Sequence, residues 1–154
     1  MACCLWPEYT GDVRKLEVAL GKAELIVDGV WLVGGPNISM SEDATVFVID
    51  FSGELIMIDT GAGRSARTLV RNIEGAGLDP KKISTVILTH CHIDHIGAAP
   101  YFRENFGCKL AAHELDARAI EEGDPIMTRH VAPVKKNDGR PVNPRLAQVV
   151  GARL

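Results

Sequence analysis

The segment Thr89-His90-Cys91-His92-Ile93-Asp94-His95 places three imidazoles and a carboxylate within six positions, directly after the apolar run Ile83–Leu88. Charged histidines this close together would repel one another, whereas neutral imidazoles can share a cation. On extended backbone, residues two apart point the same way, so we expect His90 and His92 to converge while Cys91 faces away. The pattern therefore predicts a metal site at the end of a strand.

The second half of this segment indicates a strand-to-helix corner. Asp94 stands where a helix can begin and is predicted as its N-cap, with His95 on the first turn. The ligands then form two groups, His90 with His92 and Asp94 with His95, which can hold one metal ion or two. We expect zinc, with iron and manganese as alternatives, because all three accept nitrogen and oxygen ligands.

The H-x-H-x-D-H order after a strand resembles the signature of the metallo-β-lactamase superfamily. Upstream, Leu55–Gly61 is similar to the family's strand that delivers a buried aspartate, here Asp59, beside the metal site. Between the two, Gly77–Ile83 is similar to the family's helix-to-strand connection. The resemblance covers about residues 20 to 127. It implies an α/β fold with a mixed sheet, the αββα sandwich of the family, of which this chain carries only the first half.

The resemblance also implies roles for individual residues. In the family, residues matching His90 and His92 bind the first metal, and those matching Asp94 and His95 bind the second. Asp94 is in addition the candidate catalytic residue, serving either the second metal or the catalytic water. A metal-bound hydroxide then attacks an ester, thioester, lactone, amide or phosphodiester. The implied function is a metal-dependent hydrolase that acts on a small molecule.

Two further residues are predicted to support the metal ligands. Asp59, His90 and His113 each follow a predicted strand, and ligands gather at the carboxyl ends of parallel strands. Asp59 can accept a hydrogen bond from a ligand imidazole and fix its tautomer. Its alternative role is that of a turn aspartate before Thr60-Gly61. The alternative for His113 is a solvent-facing residue at the start of a helix.

The rest of the chain predicts early hairpins followed by crossover units, and hence a mixed sheet covered by helices. Two short apolar runs separated by Ser52-Gly53 are typical of a β-hairpin. The predicted strands and helices are Lys15–Gly21 and Ala23–Val33 (two early strands around Asp28-Gly29), Thr45–Phe51, Glu54–Ile58, a helix over Arg64–Ala76, Ile83–Leu88, a helix from Pro100 to Phe106, Lys109–Ala112 and a helix over His113–Glu122.

Gly61–Ala66 formally fits the G-x-G-x-x-A pattern of a dinucleotide-binding loop. That site requires an acid at the end of the next strand, and this strand ends in Thr89-His90 instead. We therefore reject a dinucleotide site, although the loop amides can still hold an anionic group of a substrate.

The composition is that of an ordinary soluble domain, with 154 residues, a net charge of −3 and no apolar run near the length that spans a bilayer. Met1–Glu8 lacks the basic and apolar regions of a signal peptide, so a cytoplasmic location is expected. The four cysteines form no C-x-x-C pair, which indicates reduced thiols rather than a structural zinc site or disulfides.

The charge changes sign near residue 129. Residues 129–154 hold six Lys or Arg and one acid, which gives a net charge of +5. Residues 1–128 hold eleven Lys or Arg and nineteen acids, which gives a net charge of −8. The predicted organisation is a metallo-β-lactamase-like half over residues 1–128 and a divergent or truncated basic tail over residues 129–154. Because the tail has no aromatic residues, we expect a solvated terminus rather than a nucleic-acid contact.

Two functions remain open on the sequence alone. The second half of the superfamily supplies a further metal histidine in a Gly-His stretch, a bridging aspartate and a final histidine, and none of these patterns follows His95. The first possibility is an active metallo-hydrolase. The second is a metal-binding half-domain with little or no turnover, which assembles as a homo-oligomer to cover an exposed apolar sheet face.

Overall fold

A seven-stranded mixed sheet forms the centre of this computed structural model, which describes residues 22–124, 126–128 and 150–152. The order of the strands in the sheet follows their order in the chain. The three pairings among the first four strands are antiparallel, and the three pairings from the fourth strand to the seventh are parallel. The strands are β1 (Glu24–Val27), β2 (Val30–Gly34), β3 (Val46–Phe51), β4 (Glu54–Ile58), β5 (Ile83–Leu88), β6 (Lys109–His113) and β7 (Val150–Ala152).

The helices lie in the connections that follow β4. They are α1 (Ala66–Gly75), α2 (Ile93–Ile96), α3 (Ala99–Phe106) and α4 (Glu114–Glu122), with a 3₁₀ turn at Pro80–Lys82. Proline lies in the first turn of α3, where its missing N–H costs nothing. Gly107 ends this helix in the left-handed conformation, with φ of 70°.

The predicted α/β class with a mixed sheet is confirmed, and so are both hairpins. Asp28-Gly29 joins β1 to β2, and Ser52-Gly53 joins β3 to β4. Ser52 and Gly53 both adopt positive φ, 57° and 90°, which matches the twist of a tight hairpin. The predicted strand over Lys15–Gly21 lies outside the described residues.

The core lies between one face of the sheet and the helices. Val48, Met57, Val86 and Leu110 are adjacent across β3 to β6 and at most 1% exposed. The helices contribute Leu69, Ile73, Phe102 and Ile120 to the same buried cluster. This packing fixes the strand ends from which the candidate site residues project.

The C-terminal region is described only at Val150–Ala152, which pairs in parallel with β6. Residues 129–149, 153 and 154 lie outside the described residues, so the boundary at residue 128 stays a prediction. In the described part of the chain, no helix has the length and apolar character needed to cross a membrane.

A contact between Gly97 and the Gly61–Gly63 loop holds the histidine segment against the end of β4. The Gly97 N–H donates to the Gly61 carbonyl at 2.8 Å. A Cβ at Gly97 would overlap the backbone of Ala62, which has no flexible end that could move aside. The histidine segment can therefore approach this loop only with glycine at position 97.

We predict that Gly97→Ala lowers the free energy of unfolding by about 3 kcal/mol, because the added methyl forces the two loops apart. Gly107→Ala is the matched control. Gly107 has nothing within 4 Å of a built Cβ and a φ of 70°, so only backbone strain of about 1 kcal/mol is expected. Urea unfolding of both variants measures the difference, and equal losses would contradict the close contact.

Candidate metal centre

The candidate residues project from one edge of the sheet. Asp59 directly follows β4, His90 lies two residues after the end of β5, and His113 is the last residue of β6. These three strands are parallel neighbours, so their carboxyl ends lie side by side. Bound ligands gather at this edge in α/β sheets.

Asp59 is the buried centre of a hydrogen-bond network. The residue is 3% exposed, and its backbone has a φ of 59°, which Asp tolerates better than most residues. Oδ1 accepts from the Thr89 N–H at 2.8 Å, and Oδ2 accepts from Thr89 Oγ1 at 2.7 Å. The Nδ1 atom of His95 lies 2.8 Å from the same Oδ2. The carboxylate thus connects Thr89, at the start of the histidine segment, with His95, at its end.

These contacts determine which imidazole nitrogens remain free. An ionised carboxylate only accepts, so the contact with Asp59 places a proton on Nδ1 of His95 and leaves the Nε2 lone pair available. Thr89 Oγ1 gives its one proton to Asp59 and therefore accepts from Nδ1 of His90, 3.1 Å away. In their neutral forms, both histidines then carry an unprotonated Nε2, the form that binds a metal.

The three histidine rings are in contact. The ring centroids of His90 and His92 are 4.5 Å apart, and those of His90 and His95 are 3.9 Å apart. Burial is the largest cause that lowers the pKa of His90, and the neighbouring imidazoles of His95 and His92 lower this pKa further. Asp59 and Asp94 have a smaller effect in the opposite direction. The lowered pKa favours the neutral form of His90, which is the form that binds a metal.

The predicted N-cap at Asp94 is wrong by two residues. The helix α2 begins at Ile93, and His92 is its N-cap, with extended backbone at φ −68° and ψ 145°. The His92 carbonyl accepts from the N–H groups of His95 and Ile96, which starts the helix earlier than the side-chain pattern indicated. Asp94 lies instead in the first turn, where its charge suits the helix dipole.

Cys91 lies between the histidines but faces the core, as expected. Its side chain is buried, and the thiol Sγ donates to the Met127 carbonyl at 3.5 Å. Burial, as the largest cause, and the hydrogen bond with Asp116 raise the pKa of this thiol to about 11. A protonated thiol is a poor metal ligand, so Cys91 is not a ligand candidate.

The donors of the segment suit zinc, iron or manganese in kind. Within the residues that the structure describes, however, no three His, Cys, Asp or Glu side chains form a group that could hold a metal ion. His95 Nε2 and Asp94 Oδ2 are 3.6 Å apart, and the histidine rings pack against one another. A bound ion therefore requires ring rotations or a further donor.

A sequence model described as the metallo-beta-lactamase superfamily matches residues 42–152, which is more than half of the chain. The chain belongs to the metallo-beta-lactamase superfamily. The predicted resemblance of the chain to this family is thereby confirmed. The match includes the described strand β7.

Known members of the superfamily extend well beyond the region they share with this chain. This chain is 28% identical over 89 residues to a protein of Methanocaldococcus jannaschii named probable metallo-hydrolase. The aligned region covers 58% of this chain and 42% of that protein. A subclass B3 metallo-beta-lactamase of Bradyrhizobium japonicum has a TM-score of 0.62 at 26% identity, over 80% of this chain and 47% of that chain. A class B3 di-zinc metallo-beta-lactamase from an Alaskan soil metagenome has a TM-score of 0.55 at 26% identity, over 62% of this chain and 34% of that chain. The chain thus spans less than half the length of these relatives.

His113, the other residue predicted to support the metal ligands, has a different setting from Asp59. His113 is exposed and is the N-cap of α4, where its Nδ1 accepts from the Leu115 N–H at 3.3 Å. This position agrees with the alternative of a residue at a helix start. A role for His113 beside a metal stays a prediction.

Sequence reasoning missed three residues that position the segment. Thr89 links Asp59 to His90 through its hydroxyl group. Its position directly before the histidine motif was the signal in the sequence that could have identified it. Asp43, 3% exposed, accepts from the Ala62 N–H at 2.8 Å and so fixes the loop after Asp59. Asp116 on α4 accepts from the Cys91 N–H at 3.0 Å. Nothing in the local sequence marks either aspartate, because both act across the fold.

Proposed function

We propose that this chain is a metal-dependent hydrolase in which His90, His92, Asp94 and His95 hold one or two divalent ions, with zinc first. Iron and manganese are the alternatives. The observation that carries the proposal is the Asp59 network, which leaves the Nε2 atoms of His90 and His95 unprotonated. A di-zinc relative with the same fold supports the choice of metal.

A divalent ion at this position supplies Lewis acidity and lowers the pKa of bound water toward neutrality. The chain's own residues prepare the site for it. Asp59 holds the ring of His95 in one tautomer and orientation, and Thr89 does the same for His90. The carboxylate of Asp94 is half-buried beside the ring of His95, so it can accept a proton or orient water there.

The substrate class is an ester, thioester, lactone, amide or phosphodiester of a small molecule. All of these bonds break by attack of an activated water on a polarised centre, which is the chemistry that the donor set supports. Loops around the site decide among them. The loop Gly61–Gly63 lies beside the histidines, but its Ala62 N–H already donates to the carboxylate of Asp43, so this amide is not available to an anionic part of a substrate.

A metal-binding half-domain without efficient turnover is the second candidate. It is favoured by the absence, within the described residues, of a group of three side chains that could hold a metal ion. A catalytic zinc usually has three protein ligands and one open position. His90 and His92 supply two, so a third ligand would have to come from Asp94, His113, His130 or another subunit.

Hydrolysis assays distinguish the two candidates. The purified chain is loaded with zinc, iron or manganese and tested on one substrate of each bond class, before and after removal of the metal with a chelator. The hydrolase proposal predicts turnover on at least one class, lost with the chelator and restored by the metal. Bound metal without turnover on any class would contradict it and leave the half-domain.

A further inference from the structure

A polar cavity of about 420 Å³ lies between the loop that joins β2 to β3 and the helix α1. Its lining comprises residues 37–41 of the loop, Thr68, Arg71 and Asn72 of the helix, and Lys22, which precedes β1. None of these residues belongs to the histidine segment or to the network around Asp59. The volume lies in the range of small-molecule binding sites. The cavity is therefore a candidate site separate from the metal centre.

The buried side chain of Asn72 fixes the wall of this cavity. Asn72 is 2% exposed, and its Oδ1 accepts from the Lys22 N–H at 2.9 Å. Its Nδ2 donates to the Val33 carbonyl at 2.7 Å and to the Ile38 carbonyl at 3.3 Å. One amide thus holds the residue before β1, the strand β2 and the loop after it. Because these contacts lie within the chain itself, the cavity is preformed, which reduces the entropy cost of binding a ligand.

Two cations and no acid line the cavity. Lys22 and Arg71 are both exposed, and Nη2 of Arg71 donates to the neutral Thr68 Oγ1 at 3.2 Å. Within the part of the chain that the structure describes, neither cation has a carboxylate partner. Residues 1–128 carry a net charge of −8, so a pair of cations without acids is not a general property of this surface. The lining therefore favours an anionic ligand.

The groups of the lining suit a phosphate monoester. The planar guanidinium of Arg71 can pair with two oxygens of one phosphate, and the ammonium of Lys22 supplies a second charge. A phosphate monoester carries a charge of about −1.5 to −2 at pH 7, which two cations match better than they match the single charge of a carboxylate. Ile38 and Met40, both half-buried, add apolar surface to the same cavity. This combination favours a phosphate attached to an organic group.

We propose that the cavity binds a phosphorylated small molecule. Lys22 and Arg71 pair with the phosphate oxygens, and Ile38 and Met40 contact the organic part. Because both cations are exposed and screened by salt, we expect a dissociation constant of about 0.1–10 mM for a simple phosphate monoester. Binding depends on these side chains and not on bound metal or on turnover.

An NMR titration of the ¹⁵N-labelled, metal-free full chain with phenyl phosphate tests the proposal. The amide signals of residues 37–41, 71 and 72 should shift, and those of residues 90–95 should not. Phenol, which is neutral, and benzoate, which carries one charge, should each bind at least about 5-fold more weakly. No binding of phenyl phosphate up to about 20 mM would overturn the proposal. Shifts confined to the histidine segment, or equal binding of benzoate, would overturn it as well.

Variants of the two cations test how the ligand is held. Arg71→Gln and Lys22→Gln should each weaken binding of phenyl phosphate at least about 5-fold, because each removes a charge-assisted hydrogen bond. Arg118→Gln is the matched control, since it removes the same charge from α4, outside the lining, where the side chain is 82% exposed. Its dissociation constant should equal that of wild type. Unchanged binding in both cavity variants, or an equal loss in Arg118→Gln, would overturn the proposal.

Glu42→Gln supplies a test of opposite sign. Glu42 lies outside the lining but accepts from Ser41 Oγ at 2.8 Å, which places a carboxylate next to the cavity. Its neutralisation should strengthen binding of phenyl phosphate about 2-fold at low salt, and weaker binding would contradict an anionic ligand. Circular dichroism first establishes that each variant is folded, and Lys22→Gln alone decides if Arg71→Gln is not. Because the chain is metal-free, failure of the hydrolase assays leaves these tests unaffected.

Discussion

Replacing His90 with Ala should lower metal-dependent turnover at least 1,000-fold. A bound metal ion contributes several kcal/mol to the stabilisation of charge in the transition state. Loss of about 4 kcal/mol corresponds to a decrease in rate of roughly 10³-fold. His90 also lies at the centre of the cluster, with its ring in contact with those of His92 and His95. Its removal therefore disturbs both proposed ligand groups.

Asn105→Ala is the control for this variant. Asn105 is exposed on α3 and donates to the Tyr101 carbonyl at 2.8 Å, so it tests the effect of truncating a polar side chain outside the histidine segment. Its turnover should match that of wild type. Steady-state kinetics at saturating metal make the comparison. Wild-type turnover in His90→Ala would remove the histidine segment from the chemistry.

Replacing Asp59 with Ala should lower the free energy of unfolding by about 2–4 kcal/mol. The change deprives Thr89 and His95 of their common acceptor, and a hydrogen bond to a charged group contributes about 1.5–3 kcal/mol. Ala is also strained at the φ of 59° that this position requires. Urea unfolding of the metal-free protein measures the loss.

Asp59→Asn separates the two effects. Asn keeps the shape, tolerates positive φ and still accepts from the Thr89 N–H, so we expect a smaller loss of about 1 kcal/mol. Its amide cannot hold His95 in the same tautomer, and the affinity for zinc should fall about 10- to 100-fold. Equal stability losses for Ala and Asn would mean that the hydrogen bonds of Asp59 do not stabilise the fold.

Much of the fold was predictable from local patterns. The hairpin at Ser52-Gly53 follows from two apolar runs and a two-residue link, and the helix α3 follows from its proline. The position of Asp59 beside the histidine segment followed from the resemblance and from the rule that strand ends share one sheet edge. These features depend on residues that are close in sequence or on a fixed rule of sheet topology.

The remaining features depend on contacts that no local pattern records. Asp43 is buried because the loop after Asp59 folds back onto it, and a Cβ at Gly61 would lie 2.6 Å from its carboxyl oxygen. The helix α2 begins at Ile93 because the His92 carbonyl accepts its first hydrogen bonds, although Asp94 is the stronger capping residue by type. In the first case a tertiary contact buries the aspartate, and in the second the backbone hydrogen bonds to His92 outweigh the capping preference of Asp94.

The metal content of the purified chain tests the central claim most directly. Wild type, Asn105→Ala and the double variant His90→Ala/His92→Ala are equilibrated with zinc, dialysed, and measured by elemental analysis together with circular dichroism. The account predicts one to two zinc ions per chain in wild type and Asn105→Ala, and none in the folded double variant. Retention of the full zinc content by the double variant, or a wild type that holds no metal, would contradict it.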